Sequence, residues 1–253
     1  VKQAVNRITG ESNDQMVTFH ICAGLAGGTG SGSIIDAISQ IRQEYKPQQG
    51  GTGYKIFLYL YVPEINVVNP RRDSGFYQSN GYAALCELNA MSVGQYLPLN
   101  VTGKRDNFTG EVERMLNGIN AFDAAYLYSN VNQAGKTLDI STTLPAAVAD
   151  FLFQKTVGSE SSQMGRLVGC ENDGAGPEYD QAGNATRSRK FIAFGIKSIE
   201  YPETEIEECV TYNFARQAAR QLQYNFWQEG LGYGERSIDE IGTGYRDEIK
   251  TNK

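Results

Sequence analysis

Ala26-Gly27-Gly28-Thr29-Gly30-Ser31-Gly32 lies between the apolar run Met16-Val17-Thr18-Phe19-His20-Ile21-Cys22 and a segment over 33–45 that reads as an amphipathic helix. Four glycines among these seven residues let the backbone approach a ligand with no Cβ in the way. Thr29 and Ser31 add two small hydroxyls. The helix that follows aims its unpaired N–H groups and positive dipole end back at the loop. A strand, a glycine-rich loop and a helix N-terminus together form an anion site, most often for phosphate. The general phosphate motifs do not fit. A P-loop needs a lysine after its last glycine, and the next basic residue here is Arg42. A dinucleotide fingerprint needs Gly-x-Gly-x-x-Gly, whereas the spacing here is Gly28-x-Gly30-x-Gly32.

Outward from the loop, strands and helices alternate. Tyr54 to Val62 (YKIFLYLYV) is nearly continuous in apolar and aromatic residues, as a central parallel strand buried on both faces requires. Residues 33–45 carry Ile34, Ile35, Ile38, Ile41 and Tyr45 at the helical period, and 79–93 carry Tyr82, Leu85, Leu88 and Met91. Further helices are expected over 111–116, 144–155 and 202–227, and strands over 124–128 and 190–200. The pattern predicts an α/β fold with a doubly wound, mostly parallel sheet.

Composition narrows the partners. The 253 residues carry a net charge of −6, and no Lys/Arg run exceeds two residues, which argues against nucleic acid and anionic membranes. No apolar run approaches the ~20 residues of a membrane span. The four cysteines lie far apart without a Cys-x-x-Cys pair and read as reduced, mostly buried thiols of a cytoplasmic protein. The single histidine, His20, sits inside a strand and reads as a packed residue, so no Ser/His/Asp or Cys/His set can be assembled around it.

The loop resembles the Gly-Gly-Gly-Thr-Gly-Ser/Thr-Gly signature of the tubulin/FtsZ GTPases, with Ala26 standing where the first glycine usually is. Phe122-Asp123-Ala124-Ala125-Tyr126-Leu127-Tyr128-Ser129-Asn130 is similar to that family's strand ending in a guanine-contacting asparagine. Leu144-Pro145-Ala146-Ala147-Val148-Ala149-Asp150-Phe151 resembles the start of its core helix, and Lys190 to Ile196 the opening of its activation domain. The flavour of Tyr82-Ala83-Ala84-Leu85-Cys86-Glu87-Leu88 is closest to divergent bacterial tubulin-like proteins.

The resemblance implies a three-layer GTPase fold, incomplete at both ends. A partial GTP-binding domain is expected over 1–157, and an interdomain acidic loop with the first activation-domain elements over 158–253. It implies GTP or GDP with Mg²⁺, and head-to-tail polymerisation of the chain with itself. Ala26, Gly27, Gly28, Thr29, Gly30, Ser31 and Gly32 would cradle phosphate. Glu64 would hold the ribose, and Asn130, with Asn132 as the alternative, would read base and sugar. Asp150 could accept both donors of the guanine edge, a charge-assisted pair adenine cannot offer. Arg71 and Arg72 would reach phosphate or a neighbouring subunit, unless they are a solvated basic pair. The residue that would stack on guanine is replaced by Ala146. The water-orienting acid, borrowed from the next subunit, would be Asp173 or else Glu178; no protein metal ligand is expected. Two other readings remain open: a non-catalytic tubulin-like scaffold, and a Rossmann-like oxidoreductase.

Overall fold

The computed structural model describes residues 1–11, 16–49, 52–63, 76–157, 162–174, 176–195, 201–224, 227–228 and 232–233. The chain divides into two compact units, Val1–Ile196 and Lys197–Lys253. The first unit runs α1 (Lys2–Glu11), β1 (Met16–Gly24), α2 (Gly28–Glu44), β2 (Gln48–Gln49), β3 (Thr52–Tyr61), α3 (Tyr77–Ser92) and β4 (Ala124–Tyr128). It continues with α4 (Thr143–Val157), α5 (Ser162–Asp173), β5 (Glu178–Tyr179), β6 (Ala185–Arg187) and β7 (Phe191–Ala193). The second unit contains α6 (Glu203–Tyr224) and the antiparallel pair β8 (Trp227–Gln228) and β9 (Gly232–Tyr233).

β1, β3, β4 and β7 pair in parallel, in that order, and β2 folds back antiparallel on β3. The run Ile56–Leu60 of β3 is buried throughout, as its continuous apolar sequence requires. Its side chains alternate between two cores. Ile56, Leu58 and Leu60 meet Ile34, Ile35 and Ile38 of α2 and Ala84, Leu88 and Met91 of α3. Phe57 and Tyr59 meet Tyr126 of β4 and Phe151 of α4, with Leu167 of α5 packed alongside. Helices thus cover both faces of a parallel sheet, the doubly wound arrangement expected from the alternation.

Two local expectations are corrected. Residues 111–116 are not helical: they pair irregularly with 98–106, through Asn100 N–H to Glu113 O (2.8 Å), Glu113 N–H to Lys104 O (2.9 Å) and Met115 N–H to Pro98 O (2.7 Å). Those backbone groups find cross-chain partners, which a lone helical turn of this length cannot supply. The four cysteines are free but exposed rather than buried. Cys22, for example, lies on β1, which has a neighbouring strand on one side only among the described residues.

The second core contains polar groups held in pairs. Lys155 of α4 and Glu171 of α5 form an ion pair with side chains 9% and 7% exposed, and both bond the Tyr126 hydroxyl. The Lys155 ammonium also lies 3.8 Å from the centre of the Phe57 ring. His20 is packed, as expected: its Nδ1 is 2.9 Å from the Tyr59 hydroxyl, and burial, with Lys155 nearby, lowers its pKa.

Candidate functional site at the carboxyl ends of the strands

β1, β3 and β4 end side by side, and the chain leaving each is tied to its neighbour. Leu25 N–H donates to Tyr61 O and Val62 N–H to Tyr128 O, both at 2.9 Å. Leu25 and Ala26 are buried there, at 0% and 7% exposure. The helix begins earlier than its apolar periodicity indicates: α2 opens at Gly28, so Gly28 to Gly32 form its first turn instead of a loop before it. Gly27 is the N-cap, with extended backbone and no capping side chain. Ser31 N–H closes the first turn on Gly27 O at 3.2 Å, which leaves the N–H groups of Gly28, Thr29 and Gly30 without helical partners. The Ser31 hydroxyl donates to the same carbonyl at 2.6 Å, so its proton is committed. Gly30 is required by contact: a Cβ there would lie 2.0 Å from Gly24 O. At Gly27, Gly28 and Gly32 a Cβ would meet nothing within 4 Å.

Asn130 follows β4 at the same edge. It is 2% exposed, and its side-chain Oδ1 has no hydrogen-bond partner. Buried amide oxygens are nearly always bonded, so this one is an open acceptor. Asn132 differs: its Oδ1 receives Ala134 N–H (3.0 Å) and Lys136 N–H (2.9 Å) and closes its own turn. Leu138 N–H returns to Asn130 O at 2.6 Å, and Asp139 then opens the turn that leads into α4, its carbonyl accepting Leu144 N–H at 2.9 Å. The Asp139 carboxylate accepts from the hydroxyls and N–H groups of Ser141 and Thr142, which hold its pKa down at about 2.

Asp150 lies two turns into α4 on its exposed side, opposite the buried Leu144, Val148 and Phe151. No hydrogen bond joins it to Asn130 or to the glycine turn among the described residues. Ala146 is exposed in the first turn of the same helix. Glu64, Arg71 and Arg72 lie outside the described residues.

The two acids proposed for catalysis sit elsewhere. Asp173 is the exposed last residue of α5, so Cys170–Asp173 ends a helix and is not the loop expected there. The next residue, Gly174, is pressed against the chain entering β7, where a Cβ would lie 2.7 Å from Arg189 O. That is the amino end of the strands. Glu178 is exposed on the β5–β6 hairpin, which docks on the far end of α3 through Gln95 Nε2 to Ala185 O (2.5 Å) and Ser188 N–H to Asn89 Oδ1 (2.9 Å). With strands of this length rising ~3.3 Å per residue, roughly 20–30 Å separates these acids from the glycine turn.

Two further groups give no sign of their role in the sequence, one buried and one half-buried. Arg42 of α2 is fully buried and donates to Ala121 O (3.0 Å), Tyr54 O (2.6 Å) and Asp123 Oδ2 (2.9 Å), fastening α2 to the amino ends of β3 and β4. Asn80 of α3 reaches the glycine turn, its Nδ2 donating to Ala26 O at 3.2 Å.

Among the described residues no group of three or more His, Cys, Asp or Glu side chains could hold a metal ion, and no helix is long and apolar enough to cross a membrane. The sequence matches a family model described as "Tubulin like" over residues 1–220. None of the curated proteins compared with it matches the chain.

Proposed function

From the premise that the chain belongs to the tubulin-like family, we propose that it binds GTP or GDP at the carboxyl ends of β1 and β4 and polymerises head to tail. The N–H groups of Gly28, Thr29 and Gly30 hold the phosphates, helped by the N-terminal dipole of α2 and the free Thr29 hydroxyl. The side chain of Asn130 supplies an acceptor to base or sugar, and Asp150 accepts the guanine donors. The residues fit a nucleotide in two respects: at Gly27 and Gly28 a Cβ would meet nothing within 4 Å, so bare backbone faces open space, and the Asn130 oxygen lacks a protein partner. Mg²⁺ would be held chiefly through phosphate oxygens and water, and would supply charge neutralisation there.

The observation that carries the polymer reading is the placement of Asp173 and Glu178 at the end of the unit away from the glycine turn. A single chain cannot bring either acid to its own phosphates, whereas a head-to-tail neighbour presents that end to them. Such a heterologous contact propagates into a filament when it does not close. Asp173 then orients the attacking water, with Glu178 as the alternative. A second reading, a nucleotide-bound scaffold without turnover, is favoured by one feature: Asn172 and Asp173 close a helix where a catalytic loop was expected.

Equilibrium titration with a fluorescent GTP analogue tests the nucleotide assignment. Saturable binding of one nucleotide per chain, displaced by GDP and poorly by ATP, is expected. No saturation, or equal displacement by ATP, refutes the guanine site.

A further inference from the structure

We infer that Asn80 is a positioning residue for the phosphate cradle, setting the direction in which the Gly27 N–H points; the inference rests on the reading of the glycine turn given above. Ala26 O is the acceptor of the Asn80 amide, at 3.2 Å. None of the described peptide bonds is cis, so the Ala26–Gly27 peptide is trans, and its carbonyl and N–H point in opposite directions. Drawing the Ala26 carbonyl onto α3 therefore turns the Gly27 N–H away from α3. It joins the free N–H groups of Gly28, Thr29 and Gly30, giving four successive donors in place of three. On the Gly27 side no side chain restrains this peptide plane, so the Asn80 bond is what fixes its direction there.

The support beneath Asn80 is rigid. Its own N–H donates to Phe76 O at 2.8 Å within the first turn of α3. The next residue, Gly81, is buried, and a Cβ there would lie 2.5 Å from Pro63 Cγ and 3.7 Å from Leu25 O. α3 is thus seated against both the chain leaving β3 and the residue before Ala26. Ala26 itself is buried and stands where the family signature has glycine, so its conformation is restricted and its carbonyl is available for a fixed bond.

The experiment compares the intact chain with Asn80→Ala in GDP titrations, using inorganic tripolyphosphate and guanosine as competitors. Loss of one hydrogen bond that orients a donor is expected to weaken GDP and tripolyphosphate about fivefold to tenfold. Guanosine, which has no phosphate, is expected to compete equally well with both proteins. Asn89→Ala removes a comparable amide at the far end of α3 and is expected to leave all three affinities unchanged. Asn80→Leu, close in shape but uncharged and without the donor, is read in the same way if the alanine variant does not fold. An intact chain that binds no nucleotide overturns the site assignment itself. Binding by the intact chain with unchanged phosphate affinity in both Asn80 variants overturns the inference alone, as does an equal loss for guanosine.

Discussion

Asp123→Ala is expected to destabilise the protein by about 3 kcal/mol, the lower end of the cost of leaving a buried charge without its partner. Arg42 is fully buried and Asp123 about a quarter exposed, so water relieves part of the loss on the aspartate side and none on the arginine side. The same carboxylate accepts Ile56 N–H at 2.7 Å and the Asn120 amide at 3.1 Å, so the variant also leaves a β3 donor unmatched. Asp123→Asn keeps an acceptor of the same shape, and its loss is expected to be smaller. Urea denaturation followed by circular dichroism measures both, and the midpoint of the alanine variant is expected to fall well below that of the asparagine variant. Equal midpoints would mean that the charge of Asp123 contributes nothing to holding Arg42.

Gly30→Ala is expected to abolish useful nucleotide binding, while its neighbours in the same turn tolerate alanine. The added Cβ would meet Gly24 O at 2.0 Å, Gly24 C at 3.0 Å and Gly24 N at 3.1 Å, all backbone atoms of β1 that cannot rotate away. The start of α2 must then move off the strand by an ångström or more. Misplacing a binding group on that scale costs on the order of 100-fold, and the overpacking costs about 1–3 kcal/mol of stability. Gly32→Ala meets nothing within 4 Å. It replaces a poor helix former with the best one and is expected to stabilise the chain by about 0.5–1 kcal/mol. Nucleotide titration and thermal unfolding of the two variants side by side check the contrast. Equal effects from both would show that the glycines act only through chain flexibility.

The contrast between these glycines also shows how far the sequence could be read. β3 is legible because a nearly continuous apolar run has few alternatives to a buried parallel strand, and the shorter runs of β1 and β4 read as the strands beside it. The start of α2 is not legible, because glycine's low helix propensity argues for a loop, and only the crossing of Gly30 over Gly24 explains why a helix starts there. Arg42 could have been found: it follows Ile38 by four residues and adjoins Ile41 on the apolar face of α2, where an unpaired cation is excluded. Asn80 gave no sequence signal, since its partner is a backbone carbonyl 54 residues away. Between Asn130 and Asn132 the sequence offered two turn asparagines. Burial and hydrogen bonding separate them, because one oxygen closes its own turn and the other is left open. From sequence alone the acids near 171–180 read as one loop. Asp180 and Gly183, the latter with φ of 82°, instead make the turn of the β5–β6 hairpin. That turn chemistry was present in the sequence, hidden by the surrounding charge.

The most direct test of the account is GTP turnover per chain, measured with Mg²⁺ over a wide range of protein concentration. The account predicts negligible activity per chain when dilute and a steep rise above a critical concentration, as neighbours supply Asp173 to each other's phosphates. Activity per chain that is independent of concentration would contradict it by placing the whole catalytic site within one subunit, and turnover absent at every concentration would leave the scaffold reading in its place.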